Sequence, residues 1–543
     1  MPRSLLLAVA FCVAMAATAS AAPTGTDAWR AGLETLRREL PVRHPAPFLN
    51  VTRAAWDSAA ADLERRLPSL TQNQALVGVM RLVTLLGDAH TVPEPDSALG
   101  LRFYPVELYS FDDGLFVRRA APAYASLVGA KVLRVGRAGA EEAVAAAGSV
   151  VPHENEWWVR GLAPFWLMVP EVVDGLGLAA DAEALPLLLE RDGRTETVTI
   201  RPAGRLADQH GRGSDPRDMN GWSAMRSGPA PLWEQRPGET FWWTFDQANG
   251  TLYACQRGVV PSPRSATNRD QWDRFFAAFD SLAPARVVID LRENGGGNGA
   301  LNRYPVQQIL RRPALDRPDR LFVIIGRRTF SAAQQFANLL EAWTRATFVG
   351  EPTGQRPSQY GDHRPLVLIA DKLKVQVSTV FHQAPNEFDR RASVPPRVYA
   401  PLDSKSYRRG EDPALAAALV PDPSVAVVEL VQGAIAAGDT ARAEQAMLAA
   451  RDRPANRFVS FEGELNRVGY QLLGAGKVAQ AIQVFRLNTR VYPRSANTFD
   501  SLGEALLAQG WRDAAVGAYR AALAATPGFP PSVEALRRLG AGE

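Results

Sequence analysis

The chain is poor in cysteine. Of its 543 residues only Cys12 and Cys255 are cysteine. Cys12 falls inside an N-terminal leader, so a mature chain keeps Cys255 alone, forms no internal disulfide and rests on its apolar cores. Lysine is nearly as scarce: Lys131, Lys372, Lys374, Lys405 and Lys477 are all there is, so a lysine-based catalytic centre has few candidates. Histidine occurs six times. Charge of one sign is not concentrated anywhere. The 61 Lys plus Arg and 57 Asp plus Glu are interspersed, giving a net charge of +4. Without a basic block or an aromatic-basic stripe, nucleic acid is not expected as a partner. After the leader no stretch of 18 uninterrupted apolar residues occurs, so no membrane-spanning segment is expected. No cluster of His, Cys, Asp and Glu has metal-ligand spacing. The run Gly295-Gly-Gly-Asn-Gly299 lacks the Lys-Ser/Thr of a phosphate loop. Neither a metal nor a cofactor is expected.

What the chain does have is punctuation. Arg3, an apolar run from Leu5 to Ala17 and Ala19-Ser20-Ala21 make a basic start, a hydrophobic region and a small-residue cleavage site. Residues 1–21 therefore read as a signal peptide, and the protein as exported, periplasmic or secreted. Phe11 before Cys12 disfavours lipid anchoring. A length of 543 residues exceeds one hydrophobic core. Residues 27–98 carry apolar residues at helical spacing and end in the turn-like GDAHTVPEP. Residues 100–202 read as strand, strand, strand–turn–helix and a hairpin around Asp192-Gly193, an order that resembles a PDZ module; its 150–180 stretch, with Trp157, Trp158 and Trp166, is an insertion. Residues 203–237 are a Gly-, Pro- and Arg-rich linker. From 238 to 410 strands and helices alternate, which predicts crossover connections and a mostly parallel sheet. In 424–543, Gly469/Gly503, Gly476/Gly510, Ala481/Ala515, Phe485/Tyr519 and Pro493/Pro527 each differ by 34 positions, the tetratricopeptide period. The whole is a multidomain α/β chain with a helical C-terminal array.

Three segments could carry chemistry. In GRRTFSAAQQFANLLE, Ser331 stands between the apolar run LFVII and a helical pattern. A serine there is most often a helix cap. In VVIDLRENGGGNGALN a strand ends in a glycine run, a tight turn whose bare backbone N–H groups could also face an anion. In GDAHT, His90 closes a turn.

The motifs DLRENGGG, TFSAAQQFA and VGEPTG, in that order, resemble those of the S41 serine peptidases, the family of tail-specific and carboxyl-terminal processing proteases and of the tricorn-type core. The resemblance covers about 240–405 and implies a crotonase-like (ClpP/crotonase type) αββ core. It implies Ser331 as nucleophile, with Ala332 and Gly296 or Gly297 donating to the oxyanion. Processing proteases use a lysine after the VGEPTG strand. Here that place holds Gln355 or Arg356, and arginine cannot give up its proton. The tricorn-type arrangement then implies His90 as general base, with Asp389, or failing it Glu387, as the acidic partner. Arg356 could bind a substrate carboxylate or sit in an ion pair. The implied activity is hydrolysis of a polypeptide by an acyl-enzyme route. Gln334 stands where many relatives carry Glu. An inactive scaffold binding protein partners through the repeats and the PDZ-like module, or an esterase with the same centre, remain as alternatives.

Overall fold

The computed structural model describes residues 25–95, 99–206, 221–260, 267–369, 372–420 and 422–542. The leader at 1–21 and the middle of the linker at 203–237 lie outside the described residues. Among the described residues no helix is long and apolar enough to cross a membrane.

Three helices open the chain, Thr26–Arg43, Arg53–Arg66 and Gln72–Thr84. Their buried residues recur at three and four spacing: Trp29, Leu33, Leu36 and Leu40 on the first, Trp56, Ala60 and Leu63 on the second. Thr71 and Gln74 start the third with reciprocal cap bonds. Beyond it the expected turn is shorter than the motif. Val92–Pro95 forms a strand, antiparallel to Leu373–Val377, at the edge of a three-stranded sheet with Arg364–Ile369. Its two prolines are tolerated because an edge strand need not donate on its outer side. Leu366, Leu373, Val375 and Val377 share one core with the N-terminal helices. That shared core fixes the Gly87–Thr91 turn, between helix and strand, against the 238–410 region.

A second sheet pairs Val106–Phe111, Gly114–Ala120, Lys131–Val135, Leu185–Arg191 and Arg194–Ile200 in antiparallel order. The hairpin expected at Asp192-Gly193 forms, with both residues at positive φ, 51° and 75°. The insertion folds into helices Glu156–Trp166 and Pro170–Gly175.

The third sheet runs Val398–Tyr399, Thr347–Gly350, Leu321–Ile325, Arg286–Asp290, Thr251–Gln256 and Phe241–Asp246. All neighbours are parallel except the last pair. Val287, Ile289, Val323 and Ile325 are buried on one face against Trp272, Phe275 and Phe336 of the crossover helices. Both faces are covered, which accounts for the near-continuous apolar runs of these strands.

The C-terminal region is a series of antiparallel helix pairs, among them Phe461–Gly474 with Val478–Val491, and Ala496–Ala508 with Arg512–Ala525. A Cβ on Gly469 would lie 2.4 Å from the Phe485 ring, and one on Gly503 2.6 Å from the Tyr519 ring. The same small-against-aromatic contact thus recurs in successive pairs. Each aromatic is fully buried, worth about 1.5–3 kcal/mol apiece.

Candidate active site

Ser331 is where the strand Leu321–Ile325 and its short loop meet the helix Ala332–Trp343. Its side chain does not cap that helix. Its backbone sits at φ 57°, ψ −123°, a region costly for a residue with a Cβ. The surroundings hold it there. Thr329 Oγ1 donates to Leu291 O at 2.8 Å, Phe330 N–H donates to Asn294 O at 3.0 Å, and Asn302 Nδ2 donates to Ala332 O at 2.7 Å. Gly296 passes so close that a Cβ there would lie 2.6 Å from Ser331 Cβ. The strained turn pushes the hydroxyl out of the helix end into an open cleft of about 900 Å³, lined by Gly297, Gln335, Trp343, Phe381 and His382 among others.

His90 Nε2 lies 2.9 Å from Ser331 Oγ, across 241 positions of sequence. The ring is buried and stacks on Phe330 at 4.4 Å, which in turn stacks on Trp158 of the insertion at 4.1 Å. Burial lowers the His90 pKa to about 4; Asp88 opposes that shift, while His363 and His382 add to it. Asp88 shapes the turn. Its carboxylate accepts from His90 N–H at 2.9 Å, Thr91 Oγ1 at 2.6 Å and Ser378 Oγ at 2.7 Å, and lies 3.1 Å from His44 Nε2. Burial alone would raise this carboxyl, but those hydrogen bonds outweigh it and hold it at about 2.

Asp389 and Glu387, expected to orient His90, are not brought to it. Asp389 is bound by Arg391 at 2.7 Å, and this guanidinium holds its carboxyl below the usual range. Arg391 in turn is tied to Glu341. Glu387 is exposed on the same loop. Local ion pairing has captured the carboxylate that the motif's position suggested. The group facing His90 Nδ1 is instead Gln355 Nε2, at 3.0 Å. The same nitrogen lies 3.3 Å from Glu154 Oε1, and Gln355 Oε1 accepts from Ser331 N–H at 2.7 Å. Glu154 comes from the insertion. Burial first, and the Asp88 charge second, push its carboxyl up to about 8. Arg356 donates its backbone N–H to Glu154 Oε2 at 3.0 Å, and its guanidinium Nε lies 3.9 Å from that oxygen. Arg356 thus meets Glu154 chiefly through its backbone, and with the Glu154 carboxyl held protonated its guanidinium makes no full ion pair there.

Of the expected oxyanion donors, Gly296 has its N–H engaged by Asn294 Oδ1 at 3.0 Å. What Gly296 supplies is close approach at a φ of 110°. Gly297 lines the cleft with Ser331. Among the described residues no hydrogen bond occupies the N–H groups of Gly297 or Ala332. Gln334 is fully buried and donates to Asn338 Oδ1 at 2.8 Å, away from the pair. Glu154 carried no sequence signal of its own. Among the described residues no group of three or more His, Cys, Asp or Glu could hold a metal ion.

The chain shares the fold of mature CPAF. The two superpose with a TM-score of 0.50 at 14% identity, over 71% of this chain and 94% of CPAF. Other solved structures it is similar to include the photosystem II D1 C-terminal processing protease (TM-score 0.33, 14% identity, 69% of this chain and 94% of that one). A putative S41 protease from Bacteroides fragilis is another (0.29, 13%, 60% and 85%). At these identities the likeness is one of fold. No protein-family model and no curated protein matches the chain.

Proposed function

We propose that the protein is an exported serine peptidase that cleaves polypeptides through Ser331 and His90. The observation that carries this is the 2.9 Å contact between Ser331 Oγ and His90 Nε2 at a strained turn opening on the cleft. Ser331 Oγ attacks the scissile carbonyl while His90, with its own proton on Nδ1, takes the hydroxyl proton at Nε2. The N–H groups of Gly297 and Ala332 receive the developing oxyanion, helped by the positive end of the helix Ala332–Trp343. His90 passes the proton to the leaving amine, and water then releases the acyl group.

The other modules fit this reading. The αββ core at 238–410 is taken as crotonase-like, and the antiparallel sheet at 100–202 as a PDZ-like module whose insertion walls the site through Trp158. The 34-residue contact of small residue on aromatic supports tetratricopeptide repeats at 424–543, a surface for a protein partner. Export rests on the leader sequence.

The test is hydrolysis of a peptide panel, with matched esters, by the wild type, Ser331→Ala and His90→Ala. Ser331→Ala is expected to have no turnover, and His90→Ala to lose about 10²–10⁴-fold. Full activity in Ser331→Ala would end the proposal. Cleavage of esters but of no peptide would move it to an esterase.

A further inference from the structure

The contacts of Gln355 constrain where His90 keeps its proton. Its amide has one carbonyl and one NH₂ group. Ser331 N–H can only donate, so the carbonyl must face it, at 2.7 Å. The NH₂ group then faces His90 Nδ1 at 3.0 Å and Glu154 Oε1 at 3.3 Å. Nδ1 is therefore an acceptor, and the neutral ring carries its proton on Nε2, aimed at Ser331 Oγ 2.9 Å away. An imidazole in that form donates to the serine and cannot take its proton.

We infer that Gln355 is a positioning residue that latches His90 in its non-basic tautomer, and that the site becomes active when the amide turns over with Glu154 as the donor to its carbonyl. This rests on the reading of Ser331 and His90 as the catalytic pair, and deepens it. In the turned state Gln355 Oε1 accepts from His90 Nδ1–H, and Nε2 is free for the serine hydroxyl. The ring holds one proton in both states, and solvent exchange moves it from Nε2 to Nδ1. The turned carbonyl must accept from Glu154 as well, which requires a protonated carboxyl there. Glu154 is enclosed, with 2% of its side chain exposed. Burial and the neighbouring Asp88 keep its proton on up to about pH 8. The turned amide leaves Ser331 N–H without its acceptor. The NH₂ group then faces Ser331 N–H, donor against donor, and that mismatch holds the resting state in place. Gln355 is itself fully buried, so its amide has no solvent to turn to instead.

Gln355→Glu separates the two states. A carboxylate accepts at both oxygens, so it keeps the Ser331 N–H bond and takes Nδ1–H without turning. The tautomer is read directly from ¹⁵N spectra of histidine-labelled protein, with His90→Ala assigning the signal. The wild type is expected to show Nε2–H at His90 and Gln355→Glu to show Nδ1–H. In Gln355→Glu, kcat should rise about tenfold or more with KM little changed, a fraction of what a general base supplies. Gln355→Leu, which can neither donate to nor accept from Nδ1, should lose the tautomer preference and show both forms. Nδ1–H in the resting wild type, or one tautomer shared by the wild type and Gln355→Glu, would overturn the latch. The spectra need no turnover, so the two ideas fail separately. A tautomer change without Ser331-dependent hydrolysis would keep the latch and sink the peptidase reading.

Discussion

Replacing Gly296 with alanine tests whether the elbow at Ser331 is built by close approach. The glycine sits at φ 110°, where a side chain costs about 1–3 kcal/mol of backbone strain. The added Cβ would meet Ser331 Cβ at 2.6 Å and both Ala332 N and Phe330 O at 3.1 Å. Carbon atoms pack at about 3.5–4.0 Å, so the serine must retreat by about 1 Å. A displacement of that size costs about 10²-fold in rate. Gly299→Ala is the control. Its Cβ would meet only the end of the Gln335 side chain, which can swing away. Measured as kcat/KM with thermal unfolding alongside, Gly296→Ala should lose about 10²-fold and 1–3 kcal/mol, and Gly299→Ala little of either. Wild-type turnover in Gly296→Ala, or an equal loss in Gly299→Ala, would show that the elbow at Ser331 does not depend on close approach by Gly296.

Asp88→Asn keeps the shape of the His90 turn but places an NH₂ group among donors, since Thr91, Ser378 and the His90 backbone all donate to this carboxylate. Chemical denaturation should show a loss of about 3 kcal/mol, and turnover should fall with it. Below neutrality two groups weaken the fold. His90 has a folded pKa of about 4, under its ordinary value of 6.5, so the unfolded chain takes that proton first and stability declines as pH drops from about 6.5 towards 4. Asp88, held at about 2 against 3.8, stabilises fully above the higher value and loses that contribution as pH falls through the lower. Denaturation curves between pH 7 and 3 should be steeper for the wild type than for His90→Ala. Gly503→Ala should overpack Tyr519, at about 1–3 kcal/mol, and lower the unfolding temperature of the C-terminal helices while peptide hydrolysis is unchanged.

Legibility in the sequence followed the locality of the signal. The alternation of strands and helices over 238–410 is written in neighbouring residues and appears as packed elements. Ser331 and His90 lie 241 positions apart, and only family motifs linked them. The acidic partner of His90 was not legible. Asp389 stands in the expected loop, but Arg391 two residues on holds it, a competition that spacing does not express. Glu154 was out of reach because its role depends on an insertion helix docking beside Gln355, and no local pattern encodes that. Gln355 was visible as one of two residues, with Arg356, at the lysine's place, but not its orientation, which is decided by Ser331 N–H. The turn-like GDAHTVPEP ends in a strand because at the sheet edge its prolines need not donate.

The central claim is an activated serine at 331. The most direct measurement is intact mass of the protein from Ala22 on after treatment with a fluorophosphonate, beside Ser331→Ala. One adduct is expected on the wild type and none on the variant. No adduct on either, or the same adduct on both, would contradict it.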